Sequence, residues 1–150
     1  MSSTVVLISG ANRGIGKALL ERYLVRPNYI VVAANRNPEH ISSKDLTKLP
    51  KHSDSQLIVV KVDGTSEHDS ANAVKELEKE GIKYIDLVIA NAGVASSFGK
   101  VSEISIIDVK ATFEPNVYGV VRLYQAVLPL LLRSKAPRWA TVGSVAGSIE

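Results

Sequence analysis

Three glycines are spaced through Ser9-Gly10-Ala11-Asn12-Arg13-Gly14-Ile15-Gly16, where a β-branched run gives way to helical spacing. A strand-to-helix turn of this kind suits the binding of a dinucleotide pyrophosphate. Gly10 permits the tight turn, Gly14 lets the backbone come close to the phosphates, and Gly16 lets the helix pack on the strand. The helix N-terminus adds unpaired N–H groups and a partial positive charge facing the anion. A glycine-rich turn that holds no ligand is the plain alternative, and the strand and helix on either side weigh against it. A nucleoside-triphosphate loop is excluded. Gly16-Lys17 would need glycine at 11 and Ser or Thr at 18, and the chain has Ala11 and Ala18.

The choice of dinucleotide turns on the end of the second strand, where an acidic residue about 20 positions on binds the ribose 2′-hydroxyl of NAD. That place falls at Asn35, 19 residues after Gly16, and it is not acidic. Arg36 follows directly, and Arg13 lies within the glycine loop. Two guanidinium groups can pair with a 2′-phosphate, which a carboxylate would repel. NADP is therefore the expected cofactor. The alternative is that Arg36 is a solvated loop charge.

These residues need elements to hold them. Thr4 to Ser9 reads as a strand buried on both faces. Ile15, Ala18, Leu19, Tyr23 and Leu24 then recur at helical spacing. Tyr29 to Ala34 is a second strand, and the polar stretch from 35 to 55 holds one short helix near Asp45 to Leu49. Gln56 to Val62 is a third strand, followed by a helix from Glu67 to Glu80 with Ala71, Val74 and Leu77 inside. Ile85 to Ala90 is a fourth strand. Helical periodicity runs from Ile104 to Leu132 with a break near Pro115, and Arg138 to Val142 is a fifth strand. Strands joined by helical crossovers favour parallel pairing. The expected fold is α/β: a Rossmann-type doubly wound parallel sheet in three α/β/α layers.

Composition narrows the classes further. A chain of 150 residues with 45% hydrophobic and 22% charged residues suits one folded domain, or part of one, and not a disordered chain. It has no cysteine, which excludes a disulfide framework, a thiol nucleophile and Cys-based metal sites. His40, His52 and His68 lie in polar segments without ligand-like spacing, so no metal is expected. The net charge of +3 comes from scattered residues and argues against a nucleic-acid partner. The apolar runs are too short to span a membrane, and Met1-Ser2-Ser3-Thr4 lacks a basic leader, so a cytoplasmic location is expected.

In order along the chain, the motifs are the glycine loop, Asp63-Gly64, Asn91-Ala92-Gly93, Asn116 in Phe113-Glu-Pro-Asn-Val-Tyr-Gly119, and Gly143-Ser144-Val145-Ala146-Gly147. Together they resemble the short-chain dehydrogenases/reductases, in particular NADP-preferring carbonyl reductases of the norsolorinic acid ketoreductase kind. Ser9 stands for the family's Thr, and Ala90 for the first Asn of its Asn-Asn-Ala-Gly signature. The resemblance implies hydride transfer between NADPH and a small carbonyl substrate. It gives Asp63 and Gly64 to the adenine and Asn91, Ala92 and Gly93 to the cofactor site. Asn116 anchors a water in a proton relay, and Ser144 binds the substrate oxygen.

The family's general acid is a Tyr-x-x-x-Lys pair, whose spacing places both side chains on one helix face. None of the five tyrosines here has Lys four residues on, although Tyr118 and Arg122 imitate the spacing. Residues 1–150 are accordingly expected to be the N-terminal, cofactor-binding part of a reductase, inactive alone and truncated after the fifth strand. The rival reading is a non-catalytic NADP-binding or dimerisation module. The apolar line Val109, Phe113, Val117, Val121, Tyr124 and Leu128 reads first as core against the sheet. Its other reading, which the resemblance supports, is a homo-oligomer contact through the helices of 104–132.

Overall fold

A computed structural model describes residues 3–95 and 99–145. Its five strands are β1 (Thr4–Ser9), β2 (Tyr29–Asn35), β3 (Gln56–Lys61), β4 (Leu87–Ala90) and β5 (Arg138–Thr141). They form one sheet in the order β3-β2-β1-β4-β5, and every pairing is parallel. The helices are α1 (Gly14–Leu24), α2 (Ile41–Lys44), α3 (Asp69–Lys79), α4 (Ile106–Phe113) and α5 (Gly119–Leu132). A 3-10 turn, Asp45–Lys48, continues α2, and a π turn, Glu114–Tyr118, joins α4 to α5.

The period of two along each strand sorts the core into two layers. Val6, Ile8, Val31, Ala33 and Ile89 pack with Leu20 and Leu24 of α1 and with Leu46. Val5, Leu7, Val32, Ile58, Val60 and Val88 pack with Ala73 and Leu77 of α3 and with Leu123, Val127 and Leu130 of α5. The result is the expected three-layer α/β/α sandwich. Leu20 and Leu77 are wholly buried, and burial of such a side chain contributes about 1.5–3 kcal/mol.

Three differences from the sequence reading have physical causes. In α1 the buried line is Gly16, Leu20 and Leu24, with Ile15 and Ala18 facing outward. In α3 it is Ser70, Ala73 and Leu77, and Ala71 is exposed. In both helices a small residue lies against the sheet, and the expected Leu19, Tyr23 and Val74 are partly buried beside it, packed against the same core. In α5 the buried line is Gly119, Leu123, Val127, Leu130 and Leu131. Phe113, Val117, Val121 and Tyr124, read first as core, are instead 41–51% exposed. Finally, the chain does not break near Pro115. Proline has no N–H to give to the carbonyl four residues back, and the backbone widens into one π turn, closed by the Gly119 N–H on the Glu114 carbonyl.

Among the described residues no helix is long and apolar enough to cross a membrane.

Candidate functional site

Because all five strands run the same way, their carboxyl ends share one edge of the sheet. The glycine loop follows β1, Arg36 follows β2, Asp63-Gly64 follows β3, Asn91-Ala92-Gly93 follows β4, and Ser144 follows β5. The chain moves outward from β1 to β3 and then crosses back to β4, so the topological switch point lies between β1 and β4. Ligands of open α/β sheets bind in that crevice.

The loops around the crevice are laced together. Gly10 adopts φ +66°, and a Cβ there would stand 3.0 Å from the Ala92 Cα. A Cβ on Gly16 would overlap the Gly10 carbonyl, so this position accepts only glycine if the helix is to seat on the strand. The Ser9 hydroxyl accepts the N–H groups of Asn91 and Ala92, each at 3.0 Å. In return the Asn91 side-chain amide donates to the carbonyls of Ser9 and Gly10, at 3.0 and 3.2 Å. The sequence reading noted Ser9 only as a stand-in for Thr; its hydroxyl is the pin between the first and fourth strand ends.

Asn35 ends β2, where its spacing put it, and its side chain turns to the glycine loop and α2. Its side chain is wholly buried. It accepts the Ala11 N–H at 2.9 Å and donates to the Ser43 hydroxyl at 3.2 Å. Ser43 in turn donates to the Asn37 carbonyl at 2.8 Å, and Asn12 donates to the Ser42 hydroxyl at 2.7 Å. Asn35 therefore holds the glycine loop against α2 from beneath. Ser42 and Ser43 were missed because they sit in a polar stretch that reads as loop; a helix N-terminus rich in serine was the available signal.

Other groups are left open. Helix α1 begins after Arg13 in extended conformation, with no side-chain cap and no acidic residue in its first turn. By contrast, His40 caps α2 and Ser105 caps α4. Gly14 has nothing within 4 Å of its Cβ position. Ile15 beside it is 63% exposed. Arg13 and Arg36 are exposed, and neither has an ion-pair partner among the described residues. The uncapped N–H groups, the open glycine, the apolar rim and two free guanidinium groups fit a phosphorylated dinucleotide.

After β3, one carboxylate oxygen of Asp63 accepts both the N–H and the hydroxyl of Thr65, at 2.9 and 2.8 Å. The Asp63 N–H donates to Asp69 at 3.1 Å, and Lys61 pairs with Asp69 at 3.4 Å. Burial alone would raise the Asp69 carboxyl. The Ser66 hydroxyl, the Asp63 N–H and the Lys61 charge outweigh it and hold the group below its ordinary value. Asn116 lies in the π turn and is half-buried. Its side chain accepts the Val94 N–H at 2.9 Å and donates to the Val94 carbonyl at 2.7 Å. It thereby clamps the loop that carries Gly93. Ser144 is exposed beyond β5, while Ala146 and Gly147 of its motif lie outside the described residues. Tyr118 is also exposed, and Arg122 turns instead to Glu114 and the Gly64 carbonyl. A cleft of about 390 Å³ bounded by Tyr84, Asp86, Lys135 and Arg138 lies at the opposite end of the strands.

A parallel doubly wound sheet with a glycine-rich first turn and an open helix N-terminus at its switch point defines the Rossmann-type class. The chain belongs to the short chain dehydrogenase family, which it matches over residues 4–150. It is 39% identical over 148 residues to the short-chain dehydrogenase srdF of Neurospora crassa, covering 98% of this chain and 58% of that protein. It is 37% identical over 147 residues to the norsolorinic acid ketoreductase stcE of Emericella nidulans, covering 97% of this chain and 56% of that protein. The NADPH-bound carbonyl reductase from chicken fatty liver superposes with a TM-score of 0.75 at 29% identity, over 87% of this chain and 49% of the other. The chain thus spans somewhat more than half the length of these two curated relatives.

Proposed function

We propose that this chain is the cofactor-binding portion of an NADP(H)-dependent ketoreductase acting on a small carbonyl substrate. The observation that carries the reading is the pairing of an uncapped α1 N-terminus with two guanidinium groups, Arg13 and Arg36, that have no ion-pair partner among the described residues, and no carboxylate at 35. The likeness to an NADPH-bound carbonyl reductase and to a norsolorinic acid ketoreductase supports it.

The pyrophosphate rests on the backbone of Gly10, Asn12, Gly14, Ile15 and Gly16, and Arg13 and Arg36 take the 2′-phosphate. Asn35 shapes this surface through the loop it holds. Asp63 and Gly64 receive the adenine, and Asn91, Ala92 and Gly93 form the wall beside the nicotinamide ribose. The nicotinamide, when bound, supplies or accepts the hydride. Ser144 donates a hydrogen bond to the substrate oxygen as negative charge develops there. Asn116 fixes the Val94 loop and serves the proton relay from the bend in its helix. The acid that completes the reaction is a Tyr-x-x-x-Lys pair outside residues 1–150, so these residues by themselves bind the cofactor without turnover. A second copy of the chain covers the exposed face of Phe113, Val117, Val121 and Tyr124.

Fluorescence titration with NADPH and NADH tests the cofactor assignment. NADPH binds tighter, and Arg36→Glu weakens it by roughly 10- to 100-fold, the factor that goes with one charge-assisted contact, while NADH changes little. Equal affinity for the two cofactors in the unsubstituted chain overturns the reading.

A further inference from the structure

Positions 115, 119 and 122 lie one helical turn apart on the stretch that runs from the π turn into α5, and all three meet Gly64. Pro115 packs against it, with its Cα 3.1 Å from where a Gly64 Cβ would be. A Cβ on Gly119 would come within 2.7 Å of the Gly64 oxygen, so the helix backbone lies directly on this peptide. Arg122 then closes the contact: its Nη1 donates to the Gly64 carbonyl at 3.1 Å and to Glu114 Oε1 at 2.6 Å. The other end of the same peptide is also held. The carbonyl of Gly64 and the N–H of Thr65 belong to one planar trans unit and point in opposite directions. That N–H donates to Asp63 Oδ1 at 2.9 Å.

We propose that Arg122 is a positioning residue for the adenine end of the cofactor, acting on the Asp63 carboxylate through the rigid Gly64–Thr65 peptide. A cationic donor on the carbonyl polarises the peptide and strengthens its N–H as a donor. The carboxylate is thereby turned, with one oxygen taken by Thr65 and the other left for a donor such as an exocyclic amine. Glu114 keeps the guanidinium on Gly64 and away from the solvent and from Tyr118. The proposal rests on the assignment of Asp63 and Gly64 to the adenine.

The test compares NADPH with reduced nicotinamide mononucleotide, which lacks the adenosine half. Arg122→Met keeps the apolar stem and removes the donors. In the intact protein it weakens NADPH by roughly 5- to 10-fold and leaves the mononucleotide unchanged. It also speeds hydrogen exchange at the Thr65 amide without bound cofactor, and Arg122→Lys restores both. Where Arg122→Met does not fold, Glu114→Gln gives the same selective loss at about 2-fold, since the guanidinium loses only its anchor. Equal losses for both ligands, or unchanged Thr65 exchange, overturn the proposal. Asp63→Ala separates the two levels. If it weakens NADPH while Arg122→Met does not, the role of Arg122 alone fails; if neither variant affects NADPH, the adenine assignment fails and takes the proposal with it.

Discussion

Asn35 shows what spacing reveals about a residue and what it hides. Counting from the glycine loop finds the end of the second strand, and the absence of a carboxylate there is legible directly. The job of the side chain is not, because it depends on Ser43 and on the Ala11 N–H, which only the folded chain brings within reach. Asn35→Ala leaves a buried N–H and a buried hydroxyl without this partner. The expected cost is about 2–3 kcal/mol, since buried groups lose both the bond and their hydration. Urea unfolding reads it as a lower midpoint with an unchanged slope. A loss within a few tenths of a kcal/mol would mean that Ala11 and Ser43 find other partners. Asn116 teaches the same lesson from the other side. The motif singled it out, but its partner, the Val94 backbone, lies 22 positions back in the chain.

At the scale of elements, the strands were legible almost to the residue because the apolar runs are continuous and the breakers between them are strong. The longer helices were found, but the short helix expected near Asp45 to Leu49 is α2 at Ile41–Lys44 followed by a 3-10 turn, and in α1 and α3 the small residues Gly16 and Ser70 at the contact left no hydrophobic signal. The start of α3 supports a pH prediction. Asp69, in its first turn, has its carboxyl held below the ordinary value of 3.8 by Ser66, the Asp63 N–H and Lys61, against the opposing effect of burial. A carboxyl lowered on folding adds stability above its unfolded value, and that stability is lost as pH falls through the folded value. The unsubstituted chain therefore loses stability on acidification below about pH 4, and Asp69→Asn removes that part of the slope while lowering stability at neutral pH. Unfolding midpoints measured across this range check it; parallel curves for the two proteins would show that Asp69 contributes nothing on folding.

At the scale of the whole molecule, the parallel alternation of strand and helix was enough to give the sheet and its layers, because few topologies satisfy it. Which side of the long helical segment meets the sheet was not legible, since α5 is apolar on two sides. Leu123, Val127 and Leu130 face the core. Phe113, Val117, Val121 and Tyr124 form a second line that stays exposed, and Tyr124 meets Trp139 of β5 edge-on at 5.1 Å. An apolar strip along about three turns of helix is rarely left to water. The cover proposed for it is a second copy of the same helix, an arrangement that needs no other partner and closes as a dimer. Sedimentation equilibrium is expected to show a dimer, and Val121→Glu, which places a charge at the centre of the strip, is expected to shift it to monomer. The substitution is on the exposed side, so the unfolding midpoint of the monomer should hold. A chain that stays monomeric at high concentration leaves the strip to another surface; one that stays dimeric with Glu at 121 must pair elsewhere.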